Sequence, residues 1–390
     1  MNQIWLRVLS CLLALVFFTA VGCAKQDPPT GAPDVDESTD RFQTPIHNIA
    51  FTELGNPTRE KYPNGEYARC AWDMAIYGGK LYLGSGDYGN NLGPVAVSCY
   101  HIASGTWEEN TLLPDEEINR FCLIDGKLCA PGIDPQQAWD YGNYYVLDDT
   151  GWSVKRTIPG GVHVFDIVEH EGHIFAGLGV VEGRYPVSVS KDGGETFLSV
   201  PFQKEGMAVD TRGFSHIRTY DFFAIGGELY ATLTLDSTYE LYLYDSNKEC
   251  FVFEEDWTGR MDVRRYKQNV LGEKAVFNKK LYITTGCLYQ TSDLISLTHI
   301  AVGENTVVAD LVVSGDVMHV LTFAKGENEG YQTKVYALCK GETELKEVFD
   351  FVYDVPGISM VVDGNDFYIG MGKRGLSDPK NGNLIRVSVP

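Results

Sequence analysis

The chain has 390 residues, 44% of them hydrophobic, and a formal net charge of −21 at pH 7. A chain this acidic does not bind nucleic acid or an anionic lipid surface through its overall field. Its length would accommodate two or three average domains. All-β propellers and barrels exceed that average as single domains, so the domain count must come from the sequence pattern.

The first 22 residues are predicted to be a secretory signal. One basic residue, Arg7, precedes an apolar run that is too short for a spanning helix and is not followed by stop-transfer charges. Residues 20–23 read Ala-Val-Gly-Cys and resemble a bacterial lipobox, which implies acyl chains such as palmitate on Cys23. The alternative is an ordinary signal peptide that is cut nearby.

Residues 23–44 are rich in proline and acidic side chains and lack apolar periodicity. Such a segment is expected to be a flexible, solvated tether. The expected product is therefore an extracytoplasmic lipoprotein that is anchored to a membrane, on the cell surface or on the periplasmic face.

A hairpin pattern recurs along residues 45–390. Each copy has an apolar run, a tight turn and a second apolar run, and the seven copies are 75–86, 122–132, 167–179, 223–234, 275–286, 311–322 and 361–372. Successive turns lie 36 to 55 residues apart, around the length of a four-stranded propeller blade. Further β-rich runs with a period near two fill the spaces between most of the copies.

The repeat predicts one all-β domain over 45–390, a seven-bladed β-propeller of four-stranded antiparallel blades. The last copy lacks its outermost strand, and the apolar segment 45–54 precedes the first copy without a blade of its own. We expect 45–54 to close the ring by pairing with 383–390, because closure removes open sheet edges.

Residues 190–197 read Ser-Lys-Asp-Gly-Gly-Glu-Thr-Phe and match the Asp-box pattern Ser-x-Asp-x-Gly-x-Thr-aromatic. Asp and Gly suit a tight turn, Ser and Thr can bond its backbone, and the aromatic can pack beneath it. On this motif and the repeat, the chain resembles the Asp-box (BNR) and kelch-like propellers, a superfamily with the sialidase-like fold. The resemblance implies an architecture, and the motif marks an outer turn rather than an activity.

The starts of the innermost strands supply one set of candidate site residues. Counting back five residues from each hairpin turn gives Asp73, Arg120, Asp166, Asp221, Glu273, Ala309 and Ile358. In a propeller these positions surround the mouth of the central channel, and four of the seven are acidic. Neighbouring carboxylates raise one another's pKa, so this ring of carboxylates could bind a cation or supply a general acid or base. The alternative, which we favour, is that each Asp caps backbone amides of a neighbouring blade. No cofactor or metal is predicted beyond that cation.

Two long connections, 201–219 and 258–272, concentrate basic side chains in this acidic chain. The cluster comprises Arg212, His216, Arg218, Arg260, Arg264, Arg265, Tyr266 and Lys267. Arginine forks suit a bidentate carboxylate, so they predict an anionic sugar such as a uronate or sialate as the ligand. The alternative is that the arginines neutralise local acids such as Asp210.

The favoured hypothesis is a monomeric binding protein for a glycan or an envelope protein, because no complete catalytic motif is present. Its candidate ligand-binding residues are Arg212, Arg218, Arg264, Arg265, Asp73 and Asp166. The second hypothesis is a glycoside hydrolase or polysaccharide lyase acting on an anionic sugar. Its candidate catalytic residues are Tyr266, Tyr220, His216 and Asp221. The third is an assembly factor for a membrane complex.

Seven cysteines follow Cys23, without the paired spacing of a zinc site. Cys122 and Cys129 flank a two-residue turn, so they would face each other at a distance that a disulfide tolerates. We favour two unpaired core thiols over a bridge.

Overall fold

The part of the chain that can be described is built almost entirely from β-strands. The computed structural model describes residues 42, 44–64, 67–181, 183–262, 272–326, 330–373, 375 and 378–390. The predicted signal, most of the tether and Cys23 lie outside these residues. Among the residues described, no helix is both long and apolar enough to cross a membrane.

The described strands are numbered in chain order. Strands β1 to β12 are Thr52–Gly55, Asp73–Tyr77, Lys80–Gly84, Val95–His101, Thr106–Trp107, Thr111–Leu113, Asp115–Glu117, Cys122–Ile124, Lys127–Pro131, Ile133–Pro135, Tyr141–Asp148 and Gly151–Pro159. Strands β13 to β23 are His163–His170, His173–Val180, Val187–Ser190, Leu198–Ser199, Phe202–Lys204, Met207–Ala208, Ile217–Arg218, Phe222–Ile225, Glu228–Leu235, Glu240–Asp245 and Cys250–Asp256. Strands β24 to β34 are Lys274–Phe277, Lys280–Thr284, Leu288–Thr291, Thr298–Ile300, Val307–Ser314, Val317–Lys325, Tyr331–Cys339, Lys346–Tyr353, Gly357–Asp363, Asp366–Met371 and Leu384–Ser388. A short 3₁₀ helix covers Tyr88–Asn90.

The sheets support an all-β propeller but correct the predicted number of blades. Four sheets have four strands each, in the orders β1-β34-β33-β32, β12-β11-β9-β8, β24-β25-β26-β27 and β28-β29-β30-β31. A fifth sheet contains β2 to β6, and one thirteen-stranded sheet holds the remaining described strands. The prediction of seven separate four-stranded blades is therefore wrong, because only five sheets have the size of a blade.

The connection between β16 and β20 explains this difference. Its strand β19 pairs with β14 on one side and with β21 on the other, and so joins two groups of strands into one sheet. A second short strand, β17, pairs in parallel with β23. We predicted 201–219 to be a loop because strands of two or three residues leave no periodic signal in a sequence.

The N-terminal segment pairs with the last strand of the chain. Strand β1 runs antiparallel to β34, with Thr52 opposite Arg386. Further upstream, the N–H groups of Ile46 and Ile49 donate to the carbonyls of Val348 and Asp350. The predicted partner of the C-terminal strand is thus confirmed, although only the end of 45–54 is a strand.

Buried apolar side chains fill the space between neighbouring sheets. Trp72, Phe175, Phe251 and Phe349 are among the large side chains that are completely buried. Burying a side chain of this size contributes about 1.5–3 kcal/mol. The innermost strands contact one another in the order β8, β13, β20, β24, β28, β32 and β2. The N–H of Phe121, just before β8, donates to Asp73 of β2.

Each innermost strand is joined to its hairpin partner by a turn of only two residues, such as Asp125-Gly126 between β8 and β9. The opposite ends of these strands meet the longer connections, which together we call the loop face. Its described parts include 84–95, 113–122, 131–141, 201–222, 256–262 and 272–274. Long connections on a rigid scaffold are common places for binding residues.

The Asp-box residues form the turn between β15 and β16. The Asp192 carboxylate accepts hydrogen bonds from the N–H and Oγ1 of Thr196 and from Ser190 Oγ. Gly194 N–H donates to Ser190 Oγ, and Phe197 is buried. The motif therefore stabilises a turn, as the sequence indicates.

The seven cysteines in the described residues are all free. Cys122 and Cys129 lie opposite each other in β8 and β9, in the predicted register. The expectation of two unpaired thiols is confirmed.

Candidate functional site

Arg120 lies at the centre of a buried charge cluster where the innermost strands begin. Its guanidinium is 3.0 Å from Asp166, 3.1 Å from Asp221 and 3.9 Å from Glu273. The ammonium of Lys274 forms a further ion pair with Asp221. These side chains line a cavity of about 370 Å³ in the channel between the innermost strands.

The charges of Arg120 and Lys274 shift the pKa values of the acids in this cluster. Burial lowers the pKa of Arg120, but the three carboxylates outweigh it and hold the pKa well above its usual value. Burial raises the pKa of Asp166, partly opposed by Arg120. At Asp221 burial is outweighed by Lys274 and Arg120, so the pKa falls below its usual value.

Three aspartates of the innermost strands make the same pair of backbone hydrogen bonds. Each accepts from the N–H of the next residue and from an N–H of the neighbouring innermost strand or its start. The donors are Met74 and Phe121 for Asp73, Ile167 and Phe222 for Asp166, and Leu311 and Met360 for Asp310. Because both oxygens of each carboxylate are bonded, the geometry favours amide capping over ligand binding.

Two predicted ring positions are shifted by one residue. The last two hairpin turns begin at Gly315 and Gly364, one residue later than we counted, so Asp310 and Ser359 replace Ala309 and Ile358. Ser359 Oγ donates to the Ala71 carbonyl, which links the last innermost strand to the start of the first. The sequence did not fix these two positions, because Ser314 and Asp363 are equally common in turns and at strand ends.

Arg212 and His216 of the basic connection are occupied by nearby acids. Arg212, whose side chain is 76% exposed, forms a 2.8 Å ion pair with Asp210. Hydrogen bonds from Arg212 lower the pKa of Asp210 to about 2. His216 donates its backbone N–H to Asp236. These contacts fit the local neutralisation that the sequence left open as an alternative.

Arg218 is held against the loop face. Its guanidinium donates to the carbonyls of Val180 and Ile217 and lies 6.0 Å from the ring centroid of Phe165. Arg260 of the basic cluster pairs with Glu255 at 3.2 Å. Arg264, Arg265, Tyr266 and Lys267 lie outside the described residues.

A second polar cluster, which sequence analysis missed, lies on the loop face between β3 and β13. Its members, which we call the acidic cleft, are Asp87, Asp115, Glu116, Glu117, Asp134 and His163. Strand β7, which carries three of the acids, pairs with β10, and β10 pairs with β13 at His163. Exposure is 2% for Asp87, 0% for Asp115, 1% for Glu117 and 9% for Asp134.

Asp115 is the most deeply buried member of the acidic cleft. The hydroxyl of Tyr145 and the amide of Asn143 donate to its Oδ2. Its Oδ1 has no hydrogen-bond partner among the described residues. Burial raises the pKa of Asp115 to about 7, against the effect of these two donors.

Glu117 is also held by few donors. Asn119 donates to its Oε1 at 3.2 Å, while Oε2 has no partner of normal geometry in the part of the chain described. Burial raises the pKa of Glu117 well above its usual value, and the charges of Asp87 and Asp134 raise it further. Asp134 lies 2.7 Å from His163 Nδ1.

A row of aromatic rings borders the acidic cleft. The centroid of His163 is 5.7 Å from Tyr88 and 5.5 Å from Phe165, on which it stacks. Phe165 is 4.7 Å from Tyr220. Trp139, which is 63% exposed, lies in the adjoining connection 131–141. The row therefore joins the acidic cleft to the predicted residues Arg218 and Tyr220.

One described group of side chains has the composition of a metal site. His47, Glu347 and Asp350 place one ligand atom each within 4.8 Å of the others. His47 Nδ1 is 2.6 Å from Asp350, and Lys334 pairs with Glu347 at 2.8 Å. Asn48 N–H also donates to Asp350, so both carboxylates have partners and the group can be explained without a metal.

No protein-family model and no curated protein matches the chain. Among solved structures, the WD40 repeats of RRP9 align with a TM-score of 0.52 and 8% sequence identity, over 82% of this chain and 94% of that one. The WD40 β-propeller domain of Doa1 aligns with a TM-score of 0.49 and 14% identity, over 87% and 96%. At such identities the likeness to RRP9 shows the fold alone, a β-propeller, and the Asp-box resemblance is confirmed no further than that.

Proposed function

We propose that this chain is a binding protein of the cell envelope, anchored through lipid on Cys23, whose loop face binds a glycan along the aromatic row. The observation that carries the proposal is the run of rings from Tyr88 through His163 and Phe165 to Tyr220, bordered by buried carboxylates. Ligand sites typically combine aromatic surface with a few polar groups that fix orientation.

The charges around the row favour a neutral or amine-bearing sugar. Among the described arginines of this face, Arg212 pairs with Asp210, Arg260 with Glu255 and Arg120 with three carboxylates, whereas Arg218 donates to backbone carbonyls. The neighbouring cleft carries several acids and would repel a uronate or sialate. An anionic sugar would therefore depend on Arg218 and on Arg264 and Arg265, the last two of which lie outside the described residues.

An enzyme acting on the same sugar is less well supported. The carboxyls with strongly raised pKa, Asp115 and Glu117, are almost completely buried, so a substrate cannot reach them without movement of the surrounding connections. Asp221 is paired with two cations, which favours its ionised form and not a proton donor. A protein partner that covers the loop face is the remaining alternative.

The test is retention of the purified protein on neutral, amine-bearing and acidic polysaccharides. Trp139→Ala and Tyr220→Ala should each weaken retention on one of the first two classes at least tenfold. Tyr77→Ala is the matched control, because Tyr77 lies beside the Gly78-Gly79 turn, at the opposite end of its hairpin. Equal retention of all variants, or retention on acidic polysaccharides alone, would refute the proposal, and released fragments would indicate an enzyme.

A further inference from the structure

A groove lies between two neighbouring blades, on the side of the molecule that carries the two-residue turns and is opposite the loop face. Residues of the sheets β24–β27 and β28–β31 line it, and its volume is about 710 Å³. Val276 and Val313, which belong to this lining, are 39% and 43% exposed. This groove, which we call the blade groove, therefore presents apolar surface to solvent in a concave site of the size that ligands occupy.

Hydrogen bonds join the two blades beside the blade groove. The amide nitrogen of Asn278 donates to the carbonyls of Cys339 and Glu342, at 3.5 and 3.4 Å. In return, the N–H of Gly341 donates to Asn278 Oδ1 at 3.3 Å. These bonds hold the two turns against each other, so the groove is formed before a ligand arrives. A preformed site spares the ligand the cost of ordering it.

Two lysines of the blade groove have no carboxylate partner among the described residues. Lys279 is exposed and makes no ion pair or hydrogen bond through its side chain. Lys280 donates to the side-chain oxygen of Gln290 at 3.2 Å, which is a neutral acceptor. Both positive charges are therefore available to a ligand.

The acids that line the blade groove do not cancel these charges, because other lysines already pair with them. Asp316 pairs with Lys340 at 2.8 Å, and Glu342 pairs with Lys346 at 2.6 Å. The groove is therefore locally cationic, although the chain as a whole has a net charge of −21.

Lys279 occupies a position that favours glycine. It is the second residue of the turn between β24 and β25, and its φ of 60° is in the left-handed region. That conformation is unfavourable for a residue with a side chain. The equivalent turn residue is a glycine in the hairpins of four other innermost strands, at Gly79, Gly126, Gly172 and Gly227. The turn itself therefore gives no reason for a lysine here.

The corresponding groove between the first two blades has the opposite charge. Its lining includes Lys80 and Lys127 but also Glu108, Asp148 and Asp149. Lys80 is already paired with Glu108 at 2.6 Å. Acids outnumber lysines there, so the positive charge of the blade groove is not a property of every groove between blades.

We propose that the blade groove binds an acidic peptide segment of a protein partner. Apolar side chains of the peptide contact Val276 and Val313, and its carboxylates pair with Lys279 and Lys280. A nucleic acid or an anionic membrane presents negative charge over a wide area and is repelled by a chain this acidic. A short peptide brings only a few carboxylates, and the groove matches their charge.

The first test is fluorescence anisotropy of the purified protein with a labelled peptide that alternates aspartate and leucine. The matched probe has asparagine in place of aspartate. The aspartate peptide should bind roughly tenfold more tightly, as expected for two exposed ion pairs. Its affinity should fall as NaCl is added, because salt screens exposed charges. Equal affinity for the two peptides, or no binding of the aspartate peptide, would overturn the proposal.

Two variants locate the binding. Lys279→Gly combined with Lys280→Gln removes both charges, and it should fold at least as well as the wild type because glycine suits the left-handed turn position. It should bind the aspartate peptide roughly tenfold more weakly. Lys127→Gln is the matched control, because Lys127 also follows a two-residue turn directly, is exposed and lines the other groove. Equal weakening by both variants would contradict a site in the blade groove.

Sedimentation equilibrium tests another occupant, a second copy of the chain. The wild type should be monomeric. A dimer that the double variant dissociates would assign the groove to self-association and overturn the proposal. Retention on polysaccharides should be the same for the double variant and the wild type, because the aromatic row lies on the loop face. Failure of this proposal is therefore distinguishable from failure of the proposed function.

Discussion

Replacing Arg120 by methionine tests the electrostatics of the channel. Methionine keeps an apolar stem of similar length and removes the charge. The variant leaves Asp166 and Glu273 without their cation, whereas Asp221 keeps Lys274. Removing one partner of a buried ion pair typically costs about 3–5 kcal/mol. Because Asp166 retains two backbone hydrogen bonds, we expect a loss near the lower end, about 3 kcal/mol of unfolding free energy at neutral pH.

The loss should depend on pH. Without Arg120 the pKa of Asp166 rises further in the folded state, because burial then acts without the opposing charge. A folded-state pKa above the unfolded value means that the folded protein gains protons as the pH falls, and so gains relative stability. The difference between wild type and variant should therefore shrink between about pH 7 and about pH 5.

Guanidinium unfolding, followed by the fluorescence of the buried Trp72 and Trp257, measures these differences. Arg212→Met is the control, because its pair with Asp210 is exposed to solvent and should change the unfolding free energy far less. Adding Glu273→Gln to Arg120→Met should recover part of the loss. A loss below about 1 kcal/mol, or one that does not change with pH, would refute the reasoning.

Three further predictions concern separate parts of the chain. Burial raises the pKa of Asp115 to about 7. Between about pH 4 and about pH 7 the unfolded carboxyl is ionised and the folded one is not, so wild-type stability should fall as the pH rises through this range. Urea unfolding of Asp115→Asn should show little of this slope, and an unchanged slope would contradict the assignment. Hydrogen bonds from Thr196 and Ser190 lower the pKa of Asp192 to about 2, so its contribution is present above about pH 4 and lost as the pH falls through about 2. Asp192→Asn should therefore lower the melting temperature at neutral pH and leave glycan retention unchanged, whereas loss of retention would assign the turn a role in binding. Cys23→Ser should move the protein from the membrane to the soluble fraction and remove the mass of the acyl chains, and an unchanged distribution would exclude the anchor.

Tight hairpins were the most predictable part of the fold. Seven two-residue turns lie between the innermost strands and their partners, and the alternating runs around them gave the positions of these strands. The number of separate sheets could not be predicted, because it depends on whether β19 bonds to both of its neighbours. That pairing depends on tertiary contacts, and β19 itself consists only of Ile217 and Arg218, which is too short to be recognised in a sequence.

The innermost-strand aspartates and the acidic cleft also differ in how far the sequence predicts them. The recurring aspartates of the innermost strands were visible because their spacing follows the repeat, and amide capping was the favoured interpretation. The acidic triplet at 115–117 carries no such signal, because a short acidic run between two strands usually indicates a solvated loop. Its burial results from packing against 84–95 and 131–141, which are distant in sequence.

The most direct test of the central claim is retention on neutral and amine-bearing polysaccharides, compared between wild type, Trp139→Ala and Tyr77→Ala. Trp139 is largely exposed, so its removal should leave folding intact, which circular dichroism would verify. We predict that wild type and Tyr77→Ala are retained alike, whereas Trp139→Ala is retained at least tenfold more weakly. Retention that Trp139→Ala leaves unchanged but Tyr77→Ala abolishes would place binding on the opposite face and contradict the account.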